Sequence, residues 1–226
     1  MPEIRKVLIA NRGEIAVRIV RACADARVAS VAVYADPDRE ALHVNLADEA
    51  FALGGARAAE TYLDIDKLLD VARRSGADAV HPGYGFLAEN AEFAAACAAA
   101  GLVFIGPSPE AIRAMGHKAG AKEIMQKAGV PCVPGYQGED QGEAAMLAEA
   151  RRIGFPVMIK AAAGGGGRGI RIAHDMAEFE TLMPQASAEA KAAFGDAGLY
   201  IEKVIEKARH IEVQVLGDGK RAIHCF

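Results

Sequence analysis

Apolar positions along the first part of the chain follow two alternating periods. The run KVLIA (Lys6–Ala10) is short and almost continuously apolar, which predicts a strand buried on both faces. Ala16, Ile19, Val20 and Cys23 then recur at i, i+3, i+4 and i+7, which predicts a helix with Arg18 and Arg21 on its outer face. A second strand is predicted at Ser30–Ala35. A second helix runs through Ile65, Leu68, Leu69 and Ala72, with Asp64 as its cap. Further strands are predicted in ADAVHPG and LVFIG, separated by the Ala-rich stretch 91–100. Strands alternating with helices of this length predict a parallel sheet covered on both faces.

The pattern changes in AGVPCVPGYQGEDQGE (128–143), where proline, glycine and polar residues mark a domain boundary near residue 130. Beyond it the expectation is a helix over 142–153, a strand over 157–160, a glycine-rich loop, a strand over 170–173 and a long helix over 175–194. LYIEKVI and RHIEVQVL read as strands. In the second, alternation puts Ile211, Val213 and Val215 on a core face and His210, Glu212 and Gln214 on the other. GDGK reads as a hairpin turn and RAIHCF as the returning strand. No cap or polar tail follows that strand, so the chain is expected to be a fragment.

Composition narrows the classes. The 226 residues are 52% hydrophobic and 25% charged, a folded rather than disordered balance. A net charge of −4 carries no basic footprint for nucleic acid, and no apolar run approaches the ~20 residues that span a bilayer. The four cysteines are scattered, with no zinc or disulfide spacing. Free thiols of this kind fit a reducing compartment, and a cytoplasmic location is expected.

The richest local signal is IKAAAGGGGRGIRIA. Gly164, Gly166 and Gly169 satisfy G-x-G-x-x-G, but the residues that follow alternate like a strand, whereas a dinucleotide fingerprint opens a helix. A Walker A loop is excluded, because no G-K-[ST] follows. A flexible linker would separate domains, whereas this loop joins two strands able to pair. Glycine-rich hairpin loops let backbone N–H groups approach phosphates closely, and Lys160 at the loop's entrance adds a point charge for the same anions.

Five segments in register, LIANRGEIAVRIVRA, HPGYGFLAEN, FIGPSPEAIRAMGHK, IKAAAGGGGRGIRIA and RHIEVQVLGD, resemble biotin carboxylase. The resemblance implies an ATP-grasp fold: a Rossmann-like N-terminal domain (1–130), a lid (131–204) and the truncated start of a C-terminal subdomain (205–226). It implies that Lys118 and Lys160 contact nucleotide phosphates, that Gly166 and Gly167 lie over them, and that Glu202, Lys203, Val204 and Ile205 form the hinge beside adenine. In the same scheme Lys203 and Val204 act partly through their backbone, and His210 approaches the ribose. Tyr84 and Glu89 would line the biotin and bicarbonate side. The alternative for that loop is a turn at Pro82-Gly83 that merely ends a strand. The family usually has Asp where His117 stands, Ser where Ala88 stands and often Met where Ile170 stands.

The implied reaction uses ATP, Mg2+ and bicarbonate to carboxylate biotin held on a separate carrier domain, with a carboxyltransferase component downstream. The family works as a homodimer, commonly through the N-terminal domain. Its metal ligands, bicarbonate-binding segment, general base and biotin-facing arginine have no matching positions up to Phe226, so this chain holds no assigned catalytic residue or metal ligand. Two other readings stand beside this one: another ATP-grasp ligase such as a carbamoyl-phosphate synthase, and a non-catalytic dimerisation or nucleotide-binding module.

Overall fold

The computed structural model describes residues 3–116, 118–138, 140–162, 170–217 and 221–225. They fall into two compact units, 1–127 and 128–226.

The first unit begins β1 (Lys6–Ile9), α1 (Gly13–Ala26), β2 (Ala29–Tyr34), α2 (Leu42–Leu46) and β3 (Glu49–Ala52). It continues α3 (Ile65–Ser75), β4 (Ala79–His81), α4 (Ala91–Ala99), β5 (Val103–Phe104), α5 (Pro109–Gly116) and α6 (Lys118–Lys127). The strands form a parallel sheet in the order β3-β2-β1-β4-β5. Alternation along β1 feeds two cores. Leu8 and Ala10 join Val31, Val33, Leu68, Val80 and Phe93 on one face. Val7 and Ile9 join Ala16, Ile19, Val20 and Cys23 of α1 on the other.

The predicted helices form for the expected reasons. On α1 the buried set includes Ala16, Ile19, Val20 and Cys23, with Arg18 and Arg21 exposed. The Asp64 carboxylate accepts from the Lys67 N–H at 3.0 Å and caps α3, which Gly76 closes in the left-handed region. Strand β3 was not anticipated. It is a four-residue edge strand whose residues are at most half-buried, too short to show a period.

The second unit contains β6 (Gly135–Tyr136), α7 (Glu143–Ile153), β7 (Val157–Ala161), β8 (Arg171–Ala173), α8 (Met176–Phe194) and β9 (Leu199–Lys203). A hairpin of β10 (Gln214–Gly217) and β11 (Ala222–Cys225) follows. The antiparallel sheet β6-β9-β7-β8 is packed on one face by α7 and α8. Met146, Ala150, Phe179 and Met183 meet Val157, Ile159, Leu199 and Ile201 there. The Asp175 carboxylate accepts from the Glu178 N–H at 2.9 Å and Glu178 accepts from the His174 N–H at 2.8 Å, a reciprocal cap that starts α8.

The expected strand over 209–216 is corrected. Only Gln214–Gly217 is strand, and Ile211, Val213 and Val215 are 72%, 49% and 56% exposed rather than core. The cause is the absence, among the described residues, of a layer packed against this hairpin, since two strands alone bury neither face. Among the described residues, no helix is long and apolar enough to cross a membrane.

Phe93 is fully buried and meets Phe104 edge-on at 5.9 Å. Phe93→Ala is expected to destabilise the first unit by about 3–5 kcal/mol. Urea unfolding followed by circular dichroism measures this, and a loss below about 1 kcal/mol would contradict the assigned core.

Candidate functional site

In the first unit, the chain runs outward from β1 through β2 to β3, then returns to β4 on the other side of β1 and continues to β5. The strand order therefore reverses between β1 and β4. Loops leaving the carboxyl ends of two such strands diverge and open a crevice. The loops here are residues 10–13 after β1 and 82–90 after β4. A hollow of about 370 Å³ lies there, lined by Asn11, Arg12, Gly13, Glu14, Ile15, Tyr84, Gly85 and Phe86.

Tyr84 is 59% exposed, and its phenol donates to the Glu14 carboxylate. That hydrogen bond is the main reason the Glu14 pKa is lowered and the Tyr84 pKa raised. Glu89 is exposed at the far end of the same loop and does not line the hollow. Glu14, in the first turn of α1, is the carboxylate that meets Tyr84. The signal for it lay in the position of NRGE directly after the first strand of a parallel sheet. His81 closes β4 with its Nδ1 accepting from the Gly83 N–H at 3.1 Å, and burial with the nearby Arg18 charge lowers its pKa.

In the second unit, alternation gives the four-stranded sheet a buried face (Val157, Ile159, Ala161, Leu199, Ile201) and an opposite face carrying Lys160, Tyr200 and Glu202. Register sets Lys160 opposite Tyr200 and Met158 opposite Glu202, so Lys160 and Glu202 are diagonal neighbours. The Lys160 ammonium donates to Glu202 Oε2 at 2.6 Å and lies 5.2 Å from the centroid of the Tyr200 ring. Burial pulls the Lys160 pKa down, but Glu202 and Tyr200 outweigh it and the net shift is upward. Lys160 thus stays charged.

The end of β9 carries a second feature. The Lys203 N–H donates to the Pro134 carbonyl at 2.9 Å and the Val204 N–H to the Pro156 carbonyl at 3.0 Å. Antiparallel partners of this kind exchange two bonds, but proline has no N–H to return. The Lys203 and Val204 carbonyls therefore receive no backbone bond from those partners and remain acceptors on opposite edges of the strand. Val204 offers no free N–H, so its backbone contribution is its carbonyl.

The Lys203 ammonium turns to the Gly154 and Phe155 carbonyls. Its side chain thereby ties the end of β9 to the loop before β7. Ile205 is 57% exposed, and His210, on an irregular exposed segment, pairs with Glu212 at 3.0 Å. Structure thus brings Lys160 and Glu202 together, while the partner shown for His210 is Glu212. Gly166 and Gly167 lie outside the described residues. Lys118 opens α6, and its side chain lies outside the described part. Among the described residues, no group of three or more His, Cys, Asp or Glu side chains is arranged to hold a metal ion.

Two family models match the chain: the biotin carboxylase N-terminal domain over residues 3–112, and the carbamoyl-phosphate synthase L chain ATP binding domain over residues 117–226. Similar curated proteins include a biotin carboxylase of Nostoc sp. (57% identity, 95% of this chain, 48% of that protein). Another is the methylcrotonoyl-CoA carboxylase subunit alpha of Dictyostelium discoideum (50% identity, 99% of this chain, 32% of that protein). Among solved structures, the Campylobacter jejuni biotin carboxylase–beta-gamma-ATP complex matches with a TM-score of 0.85 at 46% identity, over 98% of this chain and 50% of that one. The biotin carboxylase domain dimer of the Hydrogenobacter thermophilus 2-oxoglutarate carboxylase, with MgADP, ADP and bicarbonate, matches at 0.82 and 47% identity, over 99% and 49%. The chain spans about half the length, or less, of the curated relatives it matches.

His43 and His81 both have pKa values lowered from 6.5, chiefly by burial. The unfolded chain then binds protons more readily than the folded one around and below about pH 6.5, so these two groups leave stability unchanged between about pH 7 and pH 8 and lower it as pH drops through 6.5. The carboxylates with lowered pKa values act only below about 4.5, which leaves the window between to the histidines. Melting temperatures from pH 8 to pH 5 test this, and a flat profile across that window would refute it.

Proposed function

The chain belongs to the biotin carboxylase family as its N-terminal portion, and from that premise we propose that it supplies the nucleotide-binding lid of an ATP-dependent biotin carboxylase. The observation that carries this is the Lys160–Glu202 pair on the open face of the sheet, at the entrance to the glycine run, beside the unreturned Lys203 carbonyl. An ammonium at a glycine-rich loop neutralises phosphate charge. A backbone acceptor next to a carboxylate suits the amino group of adenine, as guanine presents a carbonyl at the same position. In this reading Lys118 joins Lys160 at the phosphates, Gly166 and Gly167 cover them, and Glu202, Lys203, Val204 and Ile205 border the base. His210 approaches the ribose. The domain limits proposed are 1–130, 131–204 and 205–226.

In the full-length protein, bicarbonate attacks the γ-phosphorus and ADP leaves, giving carboxyphosphate. This breaks to CO2 and inorganic phosphate, and as the CO2 carbon bonds to a ureido nitrogen of biotin that nitrogen's proton passes to the phosphate. The chain contributes charge neutralisation, orientation and exclusion of water. Among the described residues no carboxylate cluster is arranged to hold Mg2+. When bound beside the nucleotide, the ion would supply charge screening at the phosphates. Tyr84, with Glu89 on its loop, belongs to the biotin and bicarbonate side. The remaining partners are a biotin carboxyl carrier domain and a carboxyltransferase component acting on an acyl-CoA, as in fatty acid metabolism. A homodimer and a cytoplasmic location complete the proposal. The dimer is supported by the Hydrogenobacter domain dimer and by Arg18 and Arg21, which are exposed and line a groove of about 680 Å³ with Leu42.

A second reading, a carbamoyl-phosphate synthase, draws on the family model matching residues 117–226. The match over residues 3–112 favours the first.

Calorimetric titration of the protein is expected to show ATP binding at least about tenfold tighter than GTP, with Lys160→Met weakening ATP by about tenfold. Equal affinity for the two nucleotides would overturn the acceptor reading. With the full-length polypeptide, free biotin plus bicarbonate should raise ADP release. Stimulation by carbamate instead would favour the synthase.

A further inference from the structure

We propose that Asn11 is a positioning residue that fixes the Tyr84 loop at the switch point between β1 and β4, and thereby sets affinity for the molecule that Tyr84 faces. The proposal rests on the reading above that Tyr84 belongs to the biotin and bicarbonate side.

Asn11 directly follows Ala10 at the carboxyl end of β1 and is 3% exposed. All the polar atoms of its side chain are used. Its amide donates to the Pro82 carbonyl at 2.7 Å and the Tyr84 carbonyl at 2.8 Å, and its Oδ1 accepts from the Arg12 N–H at 2.9 Å. A single buried amide therefore ties together the two loops whose divergence opens the crevice. Fully satisfied buried amides of this kind rigidify what they join, and losing a donor leaves carbonyls desolvated and unpaired.

The loop it holds is one that would not keep its shape unaided. Gly83, Gly85 and Phe86 have φ of +65°, +67° and +40°, and for Phe86 that region is strained. Gly83 approaches so closely that a Cβ there would lie 2.9 Å from Asn11 Nδ2. On the other side of Tyr84 the loop is held by a stack of Phe86 on Tyr62 at 5.2 Å. Tyr62 is itself fixed, donating to Asp38 at 2.6 Å and accepting from the Ala35 N–H at 2.9 Å. Arg12 pairs with Asp38 at 3.3 Å and lies over the Tyr62 ring. Between these fixed ends only the Tyr84 side chain is presented outward. A strained segment, clamped on both sides of Tyr84 and displaying one large exposed aromatic in a switch-point crevice, holds a ligand-facing side chain in place.

The test uses Asn11→Asp in the full-length polypeptide. This change keeps the shape, removes both donors and sets a carboxylate against two carbonyls. The expected result is a KM for free biotin raised about tenfold, with the KM for ATP unchanged within about twofold. Gly83→Ala attacks the same contact from the loop side and should reproduce the split, and the double variant should be no worse than the stronger single one. Should Asn11→Asp fail to fold, Gly83→Ala alone decides. An unchanged biotin KM, or ATP and biotin constants that deteriorate together, would overturn the proposal. If the parent protein shows no biotin-dependent ATP cleavage, the functional reading itself fails. Amide exchange at residues 83–86 separates that case, because loss of protection in Asn11→Asp tests the clamp without any activity.

Discussion

Strand β1 has no solvent face, and much of the first unit follows from that. Val7, Leu8 and Ile9 are at most 3% exposed, so helices must cover both sides of the sheet. A parallel strand covered on both sides can meet water only at its ends. Chemistry is thus confined to loops, and the reversal of strand order beside β1 selects which end and which pair of loops. Asn11, Glu14, His81 and Tyr84 gather there although about seventy residues separate the two loops.

The second unit solves a different problem. Among the described residues α7 and α8 cover one face of its sheet, and alternation along β7 and β9 places a charged pair on the other. Glu202 keeps the half-buried Lys160 charged against the pull of desolvation. Proline placement at the strand ends adds a backbone acceptor without adding a side chain. Pro134 and Pro156 accept from β9 and cannot donate back, so two carbonyls stay available where an ordinary residue would close the ladder. Nucleotide recognition in this reading is built as much from missing N–H groups as from charged side chains.

Several elements were readable because their cause is local. The period of Ala16, Ile19, Val20 and Cys23, the Asp64 cap and the alternation of Val157 to Lys160 depend on neighbours a few residues away. Strand β3 left no signal and the exposed run at Ile211–Val215 departs from its pattern because their state depends on what lies beside them: a sheet edge in one case, an unpacked hairpin in the other. Alternation predicts that a strand can bury a face, not that a partner exists to bury it.

Sequence alone determined the alternating α/β architecture, and it raised the expectations of a break near residue 130 and of an anionic target for Lys160 before a glycine run. These rest on periodicity, turn chemistry and charge, all short-range properties. Tertiary structure alone decided that Glu202 is the partner of Lys160, that Glu14 rather than Glu89 meets Tyr84, and that Asn11 stitches two distant loops together. Each of those depends on strand register and strand order. Register and order are set by the competition of whole faces for burial, which no local window of residues contains.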